Sequence, residues 1–263
     1  MMLDKQIHGQ EIKLRLLLTD ACNRHCSFCL NDFQPRGNNY LDLRKGAVAI
    51  SHYVQTVAPI APLQVYFSGG EPTLHRFLPS MAGLARSFGA RVTINTNGLF
   101  DHSMEQRLLS HGGVYDELHF GVYEKDEALA ERILRMGGSC QMVYPPADDD
   151  LVQYYLDRGL RVKVFENFLA PRFHEAYIKA LVRWERLAPG RVSGRHTGTQ
   201  ENRGPGCDGC KRRCITLRAA WVTPDGGLSP CPQRQDLCEY PSTKREWRAA
   251  FRRIVAFHTK EQP

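Results

Sequence analysis

No stretch of this chain approaches the roughly 20 apolar residues needed to span a bilayer. Residues Met1 to Lys13 also lack the apolar core of a secretory signal. Neither membrane insertion nor export is expected on those grounds, and the expected location is the cytoplasm. No helix-turn-helix or RNA-binding motif accompanies the formal charge of +7, and the basic residues are interleaved with acids until the last third. Nucleic acid is therefore not the expected partner; an anionic small molecule explains the charge at least as well. Spacings that would pair a nucleophile with a base are missing too. Cys140 reads as a buried strand residue, and no role is assigned to it.

What is present suits one substantial core, or one core plus a small lobe: 263 residues, 42% hydrophobic and 24% charged. Nine cysteines in such a chain point to metal ligation rather than disulfides. Three lie between Cys22 and Cys29 and five between Cys207 and Cys238. That clustering suggests two metal sites.

Taken in order, residues 12–19 alternate apolar and polar as a strand should, and a helix is expected over about 43–57. Strands follow at about 63–68, 91–96, 115–123, 139–144 and 160–168. Helical spacing falls between them, over 74–88, 103–110, 125–136, 148–158 and 174–187. Strand–helix alternation of this kind predicts parallel strands with right-handed crossovers. Six units are too few for a closed eightfold barrel. The strands carry one apolar and one polar face. Lys13, Arg15, Arg91, Arg161 and Lys163 fall on the polar face with Glu117, His119 and Tyr123. Such a lining suits a cavity holding a polar ligand. Either Glu117 and its neighbours neutralise these cations, or a negatively charged substrate does.

The chemistry centres on Cys22-Asn23-Arg24-His25-Cys26-Ser27-Phe28-Cys29, directly after the first strand. Three thiolates on one loop can each hold one iron of a four-iron cluster, and no fourth cysteine stands nearby. One iron is then open for chemistry. A zinc site would need a fourth ligand, for which His25 is the nearby candidate. Downstream, after the second strand, comes Ser68-Gly69-Gly70-Glu71-Pro72, whose glycines let the backbone approach a ligand.

The cysteine loop and the Gly-Gly-Glu-Pro segment together resemble the radical S-adenosylmethionine (SAM) enzymes. The resemblance implies a partial (β/α)6 barrel over residues 1–190. It also implies a [4Fe-4S] cluster on Cys22, Cys26 and Cys29, with SAM on the open iron. By the same resemblance Phe28 contacts adenine, and Gly69, Gly70, Glu71 and Pro72 receive the SAM amino group. Asn95 and Asn97 fall near its methionyl and ribose groups. Where relatives often place a ribose-binding serine this chain has Gly121, so His119 or Tyr123 substitutes. The resemblance implies an electron donor such as flavodoxin or ferredoxin.

Residues 191–206 read as a Gly-rich linker or lid. Residues 207–263 form an appended lobe that resembles the twitch/SPASM type, in which Cys214-x11-Gly226-x4-Cys231 fits the hairpin pattern. Five cysteines suffice for one auxiliary [4Fe-4S] cluster, assigned to Cys207, Cys210, Cys214 and Cys231, with Cys238 able to replace one. A zinc ribbon is the other reading of these cysteines. A capping box at Thr243–Glu246 then opens a last helix with a Trp247, Phe251, Ile254 and Val255 stripe.

The expected function is reductive cleavage of SAM to a 5′-deoxyadenosyl radical, which abstracts hydrogen from a polar, anionic small molecule. A nucleotide, sugar phosphate or amino acid derivative would qualify. Lys13, Arg15, His119, Tyr123 and Lys163 are the candidate substrate residues. A maturase of ribosomally made peptides is the alternative; such relatives often carry a leader-binding domain before the barrel, whereas here the first strand starts by about residue 12, which favours the small molecule. A non-enzymatic metal-stabilised binding module would not explain why the first loop lacks a fourth ligand.

Overall fold

The computed structural model describes residues 12–27, 29, 37–110, 113–167, 171–195, 218–231 and 237–258. Its centre is one sheet. Strands β1 (Lys13–Leu17), β2 (Gln64–Ser68), β3 (Arg91–Thr96), β4 (Glu117–Gly121), β5 (Ser139–Tyr144) and β6 (Val162–Glu166) pair in sequence order, all parallel. Between them run α1 (Leu43–Val57), α2 (Leu78–Ser87), α3 (His102–Leu109), α4 (Glu127–Arg135) and α5 (Asp149–Asp157), with α6 (His174–Leu187) after β6. This is the expected partial barrel, and its sheet is not closed.

Local chemistry explains where the helices begin. Asp42, Asp101, Asp126 and Asp148 each accept hydrogen bonds from first-turn backbone N–H groups of α1, α3, α4 and α5. Each such cap contributes about 1 kcal/mol. The apolar strand faces, with Leu14, Leu16, Val65, Phe67, Val92, Ile94, Phe120 and Val164, lie fully buried in one core with the helices. That leaves the polar faces turned inward, as the alternation predicts.

Two features depart from the sequence reading. Val192–Arg195, within the stretch read as linker, forms a seventh parallel strand, β7, against β6. One apolar residue in four gives no alternating signal. Gly194 makes the fit possible, because a Cβ there would lie 2.1 Å from Leu181 of α6. Second, the hairpin read as part of the lobe joins the main sheet. Strand β8 (Ala219–Val222) pairs parallel with β1, and β9 (Leu228–Ser229) returns antiparallel beside it. The order is β7-β6-β5-β4-β3-β2-β1-β8-β9.

The final helix, α7 (Lys244–His258), closes this edge. Its capping box forms, with Glu246 N donating to Thr243 Oγ1 and Thr243 N to Glu246 Oε2. Trp247 stacks on His52 of α1 at 6.4 Å, and Phe251 lies 6.3 Å from Tyr53. At its end buried His258 offers Nε2 to the carbonyls of Ala219 and Pro230.

Candidate active site

The loop that follows β1 is shut at its base. Thr19 bridges to Tyr40, the Thr19 hydroxyl donates to Asn39 O, and the Asp20 carboxylate accepts from both the backbone and the side-chain amide of Asn39. Inside the loop Cys22, Cys26 and Cys29 are half-buried. Arg24 N–H points at Cys22 Sγ from 3.4 Å, and the Asn97 amide nitrogen lies 3.9 Å from the same sulfur. Burial and the neighbouring Cys26 push the Tyr123 phenol pKa up. His25, the candidate zinc ligand, is exposed.

The end of β3 is tied to this loop. Asn97 Nδ2 donates to Asn23 Oδ1 at 2.7 Å, and Asn23 Nδ2 donates to Leu99 O at 2.8 Å. Beneath them sits the Gly-Gly-Glu-Pro turn. Gly70 N donates to Thr19 O at 2.6 Å and Glu71 N to Ala21 O at 2.8 Å. Gly69 adopts φ +134°, a conformation that L side chains rarely enter. Glu71, which the sequence reading offers as a hydrogen-bond acceptor, is 1% exposed. Its carboxylate accepts from Thr73 N, Thr73 Oγ1, Thr96 Oγ1 and Asn97 N. Burial pushes its pKa up against the pull of those four donors. Glu71 thus locks the turn to β3.

Along the inner face the polar residues form two groups. On β3–β6, Arg91 and His119 both bind the Glu117 carboxylate. Burial pushes Glu117 up, but His119 and Arg91 outweigh it and hold the pKa low. His119 Nε2 donates to Glu117, and Gln141 Nε2 bonds to His119 Nδ1 and to Asn95 Oδ1. Asn95 therefore belongs to the histidine network, while Asn97 belongs to the cysteine loop. Lys163 stands beside this group, in register with Gln141. Arg91 and Arg161, which the sequence places in the lining, are exposed at the strand starts.

The second group lies on β8, β1 and β2. The Arg15 guanidinium sits between the rings of Tyr66 and Trp221, 4.7 and 5.0 Å from their centroids, and Lys13 Nζ lies 5.3 Å from the Tyr66 centroid. Trp221 is 6% exposed, and its indole N–H finds no hydrogen-bond partner among the described residues. Sequence alone missed Trp221 and Tyr66. Both lie on expected strands, but only the β8–β1 register sets Trp221 opposite Arg15.

Phe28, Cys207, Cys210 and Cys214 lie outside the described residues. Of the remaining cysteines of the lobe, Cys231 is half-buried. Cys238 packs its sulfur against Gly227, where a Cβ would come within 2.5 Å, and burial pushes its thiol pKa up. Burial pushes the Cys140 thiol up to about 12, in keeping with its lack of a role.

Burial holds His119 and His258 down at about 4, from an ordinary 6.5. Both are neutral in the fold, so the unfolded chain binds more protons between those values. Their contribution is complete above pH 6.5 and is lost as the pH falls toward 4, by up to about 3 kcal/mol each. Urea unfolding of the full chain at pH 7 and pH 4.5 should show that loss. His258→Gln, which keeps a donor for the two carbonyls, should remove about half of the pH dependence. An unchanged slope would refute the assignment.

Three soft thiolates on one loop, with an N–H and an amide directed at the Cys22 sulfur, fit an iron–sulfur cluster. Comparison with known proteins agrees. Residues 16–144 match the family model described as Radical SAM superfamily. A GTP 3′,8-cyclase of Haemophilus influenzae is 38% identical over 90 residues, 32% of this chain and 26% of that protein. An Fe-coproporphyrin III synthase of Methanosarcina barkeri is 34% identical over 100 residues, 37% of this chain and 24% of that one. The chain thus spans about a quarter of these relatives. Among solved structures, SuiB of Streptococcus suis bound to S-adenosylmethionine superimposes with a TM-score of 0.64 at 14% identity, covering 90% of this chain and 65% of that one. SuiB bound to precursor peptide SuiA gives 0.63 at 15% identity, covering 90% and 64%. At such identities the structures speak for the fold alone.

Proposed function

Given that this chain belongs to the radical SAM superfamily, we propose that it abstracts hydrogen from a small anionic substrate held on the inner face at β8, β1 and β2. The observation that carries the reading is the Arg15 guanidinium stacked between Tyr66 and Trp221, beside a buried indole N–H with no acceptor among the described residues. A buried donor without a partner costs about 1–3 kcal/mol. A carboxylate or phosphate oxygen at that point would satisfy it, and Lys13 adds charge from the same face. The sequence relatives are named for GTP and for coproporphyrin, both small anions. The peptide reading draws on the SuiB structure, which is a likeness of fold.

When bound, a four-iron cluster with SAM supplies the 5′-deoxyadenosyl radical that takes the hydrogen atom. Cys22, Cys26 and Cys29 would hold the cluster, leaving one iron for SAM. Asn97 contacts the loop that would hold the cluster, and the Gly69-Gly70 turn packs on the base of that loop. Asn95, Gln141, His119 and Lys163 present a polar wall to the substrate, and the neutral His119 keeps its Nε2–H directed at the Glu117 carboxylate. We assign Cys207, Cys210, Cys214 and Cys231, or Cys238 in place of one, to an auxiliary [4Fe-4S] cluster, and a flavodoxin- or ferredoxin-type protein to the supply of electrons.

Anaerobic reconstitution with iron, sulfide, dithionite and SAM should yield 5′-deoxyadenosine. Nucleotides and other phosphorylated or carboxylated metabolites should speed its formation, with deuterium passing from labelled substrate into 5′-deoxyadenosine. Stimulation by peptides alone would sink the small-molecule reading. For the true substrate, Arg15→Gln should raise KM by about 10–100-fold while kcat changes less, reflecting one lost charged contact.

A further inference from the structure

Five side chains on the inner face are linked so that each fixes the next. Arg91 pairs with the Glu117 carboxylate, which beside a guanidinium can only accept hydrogen bonds. His119 Nε2 lies 3.1 Å from Glu117 Oε2 and therefore carries the ring proton. Burial keeps the imidazole neutral, with its pKa at about 4, so Nδ1 is bare and can only accept. Its partner is Gln141 Nε2, which also lies 3.3 Å from Asn95 Oδ1. Both hydrogens of that amide are thereby used, and the orientations of Gln141 and Asn95 are settled.

What remains is Gln141 Oε1, an acceptor, and Asn95 Nδ2, a donor. Neither has a hydrogen-bond partner among the described residues. Asn95 and Gln141 are half-buried, whereas their outward neighbours Ile94, Cys140 and Met142 are at most 1% exposed in the core. Strand alternation turns the two amides to the opposite side, toward the space the sheet encloses. A carboxylate or phosphate there would suit Asn95 but set its oxygens against Gln141 Oε1. A hydrocarbon would strip water from both groups without return. A ligand group that offers one N–H and one C=O answers both.

We propose that Gln141 and Asn95 determine specificity by recognising a lactam or carboxamide on a substrate whose anionic end lies at Arg15. The inference deepens the small-anion reading and rests on it: the substrate narrows to anions that also carry an amide-type edge. His119 is a positioning residue, because it acts through Gln141 by holding that amide with its oxygen presented. Sites built this way reject analogues that lack the matching groups, since the protein's own donor and acceptor are then left unpaired.

The test is anaerobic isothermal titration of the reconstituted, oxidised, SAM-loaded full chain with two pairs of probes matched in charge and size. Inosine 5′-monophosphate carries the lactam that purine riboside 5′-monophosphate lacks, and pyroglutamate carries the one that cyclopentanecarboxylate lacks. The native chain should bind the lactam member of at least one pair about 10–100-fold more tightly than its match. Gln141→Met and Asn95→Leu should each cut that ratio to about 3-fold or less, with SAM affinity unchanged. His119→Phe should lower the ratio as well, because Gln141 can then turn its amide; a purely structural role would weaken both members equally. Arg15→Gln should weaken both members alike and keep the ratio. No preference for the lactam in either pair overturns the proposal, as does a ratio that survives Gln141→Met and Asn95→Leu. A loss of SAM affinity at unchanged ratio also overturns it, by giving the amides to the cosubstrate. A lactam preference with affinities untouched by Arg15→Gln overturns instead the reading of Arg15 as the anion site, so the two failures are told apart.

Discussion

Gly70→Ala should leave the chain with less than about a tenth of its loop-bound iron, with 5′-deoxyadenosine formation falling in step. The reason is steric and has little slack. A Cβ on Gly70 would come 2.0 Å from the Ala21 carbonyl oxygen and 2.6 Å from its carbon. Those are backbone atoms of the residue just before Cys22, so no rotamer change relieves the clash. To make room, the turn must give up Gly70 N to Thr19 O and Glu71 N to Ala21 O. Each is worth about 1 kcal/mol net, and each leaves a buried group unsatisfied at further cost. The loop base then shifts by the width of a methyl group. Gly83→Ala is the control, because nothing lies within 4 Å of a Cβ at that position of α2. It should retain iron and gain up to about 1 kcal/mol from better helix propensity. Iron and sulfide assays on the two reconstituted variants decide the matter. Normal loading of Gly70→Ala would show that the turn does not position the cysteines.

Glu71→Ala should destabilise the fold by about 3–5 kcal/mol, lowering Tm by roughly 10 °C in a chain of this size. Four donors converge on this one carboxylate, and two of them, Thr73 N and Asn97 N, are backbone groups that cannot turn away. Truncation leaves all four facing a cavity. Glu71→Gln keeps the volume but sets its own N–H₂ against one or more of those donors. It should fall between alanine and the native residue. Calorimetry or thermal circular dichroism on the cluster-free chain isolates the effect from cluster loss. A drop below 1 kcal/mol for the alanine variant would mean that the network is replaceable by water.

Much of the site was legible before any coordinates. Cys22, Cys26 and Cys29 sit at fixed spacing on one loop, so their grouping follows from chain connectivity. The Gly-Gly-Glu-Pro turn announces close backbone approach by its two adjacent glycines. What it approaches was not legible: the structure shows the turn pressed on Thr19 and Ala21. Glu71 illustrates the same limit. A glutamate after a strand looks like a ligand-facing acceptor, and only the meeting of β2 with β3 shows that Thr96 and Asn97 have claimed it. The cationic lining was partly illusory, because Arg91 and Arg161 occupy inward-facing parity but lie beyond the packed part of the sheet.

Local rules in the sequence determined the strand and helix succession, since alternation of period two and stripes of period 3.6 are properties of neighbouring residues. They likewise determined the aspartate caps and the thiolate triad. Tertiary structure decided what depends on pairing between distant segments. It drew β7 out of a glycine-rich stretch, laid β8 along β1 so that Trp221 faces Arg15, and folded Tyr123 back over Gly121. Strand register and loop closure are set by the whole packed sheet, and no short window of residues contains that information.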